Sequence, residues 1–192
     1  MTYNSEDLDD LLFIAIVFSS FHALLRLGET TQLDSGSKCS SRKTTLRHSV
    51  KLTPNSFSFI LPTHKADRFF ESSTILIEGR NNQLDPRCPF ILYLRARDTR
   101  FPFHAQLWLR STGQIPTHSW VVNRLKTALG DNVAGHSLRS GGATALAIAG
   151  TPDDHIQARG HWSSNTYHVY IRKHPIMLHS LIHGHLAFDA GS

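Results

Sequence analysis

His136-Ser137-Leu138-Arg139, running on as SGGATALAIAG to Gly150, is followed downstream by Gly160-His161-Trp162-Ser163-Ser164-Asn165-Thr166-Tyr167-His168-Val169-Tyr170. The first stretch is proline-free and rich in Ala, Leu and Ile, which predicts a helix over residues 136–149. Its spacing sets His136 and Arg139 three apart on one face, near a helix N-terminus where a phosphate is favoured. The second stretch reads as a Gly-His turn, serine caps and a helix carrying two tyrosines. An unbroken helix would part His161 from Tyr170 by about 13.5 Å, so His161 is expected in the turn before that helix. In a chain of 192 residues with 13 histidines, an H-x-x-R pair arises about once by chance, so its meaning depends on the rest of the chain.

Upstream, the acidic segment SEDLDD over residues 5–10 suits a helix N-terminus with Asn4 or Ser5 as cap. A long, mostly buried helix is expected from there to about residue 27, ending on Leu24-Leu25-Arg26-Leu27-Gly28-Glu29. Arg26, in this apolar setting, calls for an anionic partner, and Glu29 is one candidate within the chain. Residues 34–41 turn to Ser, Gly and Lys, as a loop does. Residues 47–53, 57–61 and 74–78 are short runs rich in Val, Ile, Phe and Thr, and predict three antiparallel strands with Lys65 between the last two. Helices are expected at 89–97, at 119–129 behind a Thr117 cap, at 152–158 with Pro152 in the first turn, from Ser163 or Ser164 through Ile171, and at 176–182. The expected class is α+β, mostly helical with a small three-stranded antiparallel sheet.

A hydrophobic share of 40% with 18% charged residues is the balance of a chain that folds. The net charge of +5 favours polyanionic partners such as nucleic acid. Lys38, Arg42, Lys43, Arg47 and Lys51 form a basic run that can track a phosphate backbone or equally make a solvated face. Cys39 and Cys88 form no C-x-x-C pair, so neither a disulfide framework nor a zinc ribbon is indicated. The apolar run at residues 11–18 falls short of the roughly 18 residues of a membrane span, and its acidic flank is unlike a secretory signal. His179 and His183 have the i, i+4 spacing that can hold zinc, with His185 beyond, but no acidic or cysteine ligand stands close by and no metal is expected.

The order Arg26, Lys65 between two strands, H-x-x-R, Gly-His and then Tyr170 resembles the tyrosine recombinase, or phage integrase, family over residues 5–175. The stretches HSLRSGGATALAIAG, GHWSS and TYHVYI are similar to integrase-like proteins of fungal transposons, including the Crypton type. The resemblance implies the catalytic-domain fold of DNA breaking-rejoining enzymes over residues 1–175, a C-terminal helix and tail at 176–192, and absence of the N-terminal core-binding domain. It makes Tyr170 the nucleophile, with Tyr167 one turn earlier as its competitor, Arg26 and Arg139 the phosphate clamps, and Lys65 the general acid. His136 and His161 become the remaining phosphate-site residues. The implied reaction is DNA recombination or integration through a 3′-phosphotyrosyl intermediate, with no cofactor and no metal. The implied partner is double-stranded DNA, bound by a homo-oligomer away from any membrane, in the nucleus.

Residue chemistry suits these roles. Paired guanidiniums are permanently charged and grip phosphate oxygens bidentately, which stabilises a pentavalent transition state. A phenol ionises only near about pH 10, so attack at neutral pH needs nearby positive charge or a base such as His136. A lysine donor must lose part of its usual proton affinity, which centres near about 10.4. The alternatives are a catalytically inactive DNA-binding remnant of a transposon integrase and, from another class, a histidine-rich metalloprotein using the tail.

Overall fold

A computed structural model of the chain describes residues 7–34, 44–61, 73–79 and 85–162. The first helix, α1, spans Leu8–His22 and is capped by Asp7, whose carboxylate accepts from the Asp9 N–H at 2.9 Å. The cap is therefore Asp7 and not Asn4 or Ser5, and the helix stops well before residue 27. Leu24 causes the stop: it adopts a left-handed conformation (φ 54°), and the Leu25 N–H closes back on the Ser20 carbonyl. This is the helix end that glycine usually makes, and in leucine it costs roughly 1 kcal/mol. Burial of the Leu24 side chain against Ala143 and Ile156 offsets that cost. Arg26 then stands on extended backbone ahead of a 3-10 turn at Leu27–Glu29, off the helix on which the sequence had placed it.

The sheet is antiparallel in the order β1 (Lys51–Leu52), β2 (Ser56–Ile60), β3 (Thr74–Glu78). Its register pairs Phe57 with Ile77 and Phe59 with Ile75, and these four side chains form the buried face. Phe57 stacks on Phe90 with centroids 4.0 Å apart, which fastens the sheet to the next helix, α2 (Arg87–Arg100). The strand expected over 47–53 is reduced to two residues, because Arg47–Ser49 winds into a 3-10 turn held by the Ser49 hydroxyl on the Leu46 carbonyl.

Helix α2 runs longer than the expected 89–97 and packs along α1 through a core that includes Leu12, Ile16 and Tyr93. Arg97, 1% exposed, looks misplaced in that core until its partners are counted. Its guanidinium donates to the carbonyls of Phe101 (3.0 Å), His104 and Gln106 (2.6 Å), which braces the loop after α2, and its buried charge is paired with Asp98 Oδ1 at 2.9 Å. Helix α3 (His118–Leu129) starts behind the expected Thr117 cap. Helix α4 (Ser137–Ile148) lies against α1, and α5 (Asp153–Arg159) closes on α4. Pro152 sits at the cap position of α5, one residue outside the first turn foreseen for it. The observed class is the expected one, α+β and mostly helical with a small antiparallel sheet. The helices expected at 163–171 and 176–182 lie outside the described residues.

Gly142 sets how closely α4 approaches α1. A Cβ there would stand 2.2 Å from the Phe21 carbonyl oxygen and 2.7 Å from Leu24 Cδ2, well inside van der Waals contact. Only a residue without a side chain lets the first turns of α4 close on the end of α1, and that contact sets Arg139 beside the turn that carries Arg26.

Candidate phosphate-binding cleft

Four chain segments meet at an open cleft of about 450 Å³. It is lined by Arg26, Leu27 and Gly28 from the turn after α1, His118 from the start of α3, Gly135, His136 and Arg139 from the start of α4, and Trp162 after α5.

Arg26 is the exposed member, its side chain 59% accessible. Its backbone N–H donates to Glu29 Oε2 at 2.8 Å, and its Nη1 lies 3.6 Å from Glu29 Oε1. Glu29 is buried, so the carboxylate holds the turn rigid while the guanidinium head stays in the cleft. The contact is long at 3.6 Å and engages one edge of an exposed guanidinium, which leaves Arg26 further donors for a phosphate.

His136 caps α4 with its backbone, accepting from the Ser140 N–H at 3.0 Å, and its side chain is exposed. Arg139, one turn on, is 6% exposed and sits in the opposite environment. Its Nη1 donates to the Leu24 carbonyl and its Nη2 to the Gly160 carbonyl, both at 2.5 Å, and its guanidinium lies 4.1 Å from the centroid of the Trp162 ring. Main-chain carbonyls from two other segments and one indole face fix the plane of the charge. The Leu24 carbonyl belongs to the left-handed residue that ends α1, so the strained turn also orients the arginine.

His161 lies in the turn that ends α5, with a left-handed backbone (φ 50°) and an exposed side chain, and the helix it is expected to precede lies outside the described residues. It is Trp162, its neighbour, that lines the cleft. The Trp162 backbone is pinned from both sides, its N–H donating to the Gln157 carbonyl and its carbonyl accepting from Gln157 Nε2, each at 3.1 Å. Lys65, Tyr167 and Tyr170 lie outside the described residues, as do Lys38, Arg42 and Lys43 of the basic run and the histidines at 179, 183 and 185. Arg47, the described arginine of that run, forms a bidentate pair with Asp98 through Nε at 2.9 Å and Nη2 at 2.6 Å. Partial burial pushes the Asp98 carboxyl up, but hydrogen bonds and charge from Arg47 and Arg97 outweigh it and hold the group below the usual aspartate range.

Sequence reasoning missed two cleft residues. Trp162 reads only as a neighbour of His161, and His118 falls between the Thr117 cap and the helix expected from residue 119. Among the described residues no cluster of three or more His, Cys, Asp or Glu side chains is arranged to hold a metal, and no helix is long and apolar enough to cross a membrane. Among the described residues, the charged and titratable side chains lining the cleft are arginines and histidines, so the arrangement suits an anion with several oxygens.

No protein-family model matches the chain, and no curated protein does. Solved structures do. The fold is similar to the crystal structure of XerA recombinase, with a TM-score of 0.65 and 16% identity over 97% of this chain and 64% of that one. It is also similar to XerH site-specific recombinase bound to palindromic difH substrate in a post-cleavage complex, with a TM-score of 0.54 and 16% identity over 93% of this chain and 51% of that one. A pre-cleavage complex of XerH with difH substrate gives a TM-score of 0.51 at 15% identity over 93% and 52%. The chain thus spans between half and two thirds of the length of these neighbours. At such identities the likeness speaks for architecture alone: the chain has the catalytic-domain fold of the tyrosine recombinases.

Proposed function

We propose that the chain cuts and rejoins double-stranded DNA through a covalent tyrosine intermediate. The observation that carries this reading is the meeting of Arg26, His136 and Arg139 in one cleft, on a fold shared with site-specific recombinases. In the proposed reaction the Tyr170 phenol oxygen attacks the scissile phosphorus while His136 takes its proton. A phosphotyrosyl bond forms at the 3′ end as the bond to the 5′ oxygen breaks, and Lys65 protonates that leaving oxygen. Attack by another 5′ hydroxyl reverses these transfers and frees the tyrosine. Arg26 and Arg139 balance the charge that builds on the phosphate oxygens. The closer likeness to integrase-like proteins of Crypton-type transposons, a nuclear location and assembly as a homo-oligomer on DNA belong to the same proposal.

A second reading is a relative that binds DNA without cleaving it. It is favoured by the commitment of both terminal nitrogens of Arg139 to main-chain carbonyls, which reduces what the guanidinium has left for a phosphate. A nicked suicide DNA substrate in EDTA separates the two. A DNA-linked band on a denaturing gel that disappears in Tyr170→Phe and survives in Tyr167→Phe establishes the tyrosine chemistry. Binding by a folded wild type that yields no band favours the second reading. Fluorescence of the tagged chain in fungal cells tests the nuclear location, and the mass of the DNA complex tests assembly.

A further inference from the structure

We infer that His118 is a further phosphate-contacting side chain of the cleft, an inference that rests on the DNA reading above and extends its set of phosphate-contacting groups from the α1 and α4 sides to the α3 side. His118 is the first residue of α3 and lines the same cleft as Arg26, His136 and Arg139. The helix N-terminus itself has little to offer an anion there. The His118 N–H donates to the Gln32 carbonyl at 3.0 Å, the Ser119 N–H to Asp34 Oδ1 at 3.2 Å, and the Trp120 N–H to Thr117 Oγ1 at 3.3 Å. What α3 presents to the cleft is therefore the imidazole.

Two features hold that imidazole in place. The backbone of α3 is tied to the segment after Glu29 by the bridge between Gln32 and Thr117, so His118 is fixed relative to the turn that carries Arg26. The ring also lies flush on Gly135, where a Cβ would stand 2.5 Å from Nε2 and 2.9 Å from Cε1. The absence of a side chain at 135 is what allows an imidazole to sit directly beside the residue preceding His136. Asp34, the carboxylate near the start of α3, is engaged by the Ser119 hydroxyl and N–H. The cleft thus gathers two guanidiniums and two imidazoles from three elements, a set matched to a phosphodiester whose oxygens point in different directions.

The test is binding of a fluorescein-labelled nicked duplex to the full chain carrying Tyr170→Phe, read by fluorescence anisotropy, with the thermal midpoint of each variant checked first. His118→Gln is expected to weaken binding roughly tenfold on every duplex sequence tried. His118→Arg, which supplies a permanent charge, is expected to restore it. Gly135→Ala leaves the imidazole in the chain but displaces it, and is expected to weaken binding as His118→Gln does. Unchanged binding by His118→Gln, alongside loss of binding by Arg26→Gln, would overturn the role of His118 and leave the DNA reading standing. An equal loss in His118→Gln and His118→Arg would also overturn it, by showing a packing role. Failure of wild type and all variants to bind any duplex would overturn the DNA reading, and this inference with it.

Discussion

Arg139 is held on three sides, by the Leu24 carbonyl, the Gly160 carbonyl and the face of Trp162. A lysine keeps the charge but presents a single point of donation, cannot reach both carbonyls and does not stack as a plane. Arg139→Lys is therefore expected to lower single-turnover cleavage of the suicide substrate on the order of 100-fold, with a lower thermal midpoint because a buried carbonyl loses its donor. Trp162 acts through Arg139 as a positioning residue. Trp162→Ala is expected to slow cleavage roughly tenfold at saturating DNA while Trp162→Phe, which keeps a ring face, stays near wild type. An equal loss in both variants would assign Trp162 to packing alone. That Arg26, His136 and Arg139 would come together was legible in the sequence through the order of motifs, and all three line the cleft. Trp162 and His118 were not, because a stack on a guanidinium and a ring seated on Gly135 depend on turns that bring distant segments together.

The junction of α1 with α4 is where element packing and chemistry meet. Gly142→Ala places a methyl 2.2 Å from the Phe21 carbonyl, a backbone atom that cannot swing away, so the helices must part. Destabilisation of about 2 kcal/mol is expected in urea unfolding with an unchanged m-value. Cleavage should fall further than stability explains, since parting the helices pulls Arg139 from the Leu24 carbonyl. A stable variant with wild-type rates would show that the approach of α4 does not set the cleft. The helices and the strands β2 and β3 could be read from the sequence, because hydrophobic period and local capping determine them. The end of α1 and the first strand could not. Leu24 tolerates a left-handed backbone only because its side chain fills a pocket made by Ala143 and Ile156, and the 3-10 turn at Arg47–Ser49 is anchored by Asp98 on a distant helix. Arg97 likewise reads as a surface arginine until the loop whose carbonyls it braces is folded over it.

At the scale of the whole molecule, carboxylates tie distant parts of the chain together, Asp98 and Asp9 among them. Asp98 joins Arg47, before the sheet, to Arg97 in α2. Asp9, in the first turn of α1, accepts from the Ser111 N–H at 2.6 Å and from Arg110 Nη2 at 3.2 Å, more than a hundred positions away. Burial raises the Asp9 carboxyl, but the Ser111 and Arg110 hydrogen bonds and the Arg110 charge outweigh it, so the group ionises below its ordinary value. A carboxylate whose folded value is depressed stabilises the fold above its unfolded value of about 3.9, and that contribution is lost as pH falls through the lower folded value. Asp9→Asn mimics the protonated form, and is expected to cost about 2 kcal/mol in urea unfolding at pH 7. The gap from wild type should persist at pH 5 and close as the pH falls below about 4, because the wild-type carboxyl then becomes neutral as well. A gap that stayed constant down to pH 2 would mean that Asp9 holds the Arg110–Ser111 segment by shape and neutral hydrogen bonding alone, and that its charge contributes nothing to joining α1 to that loop.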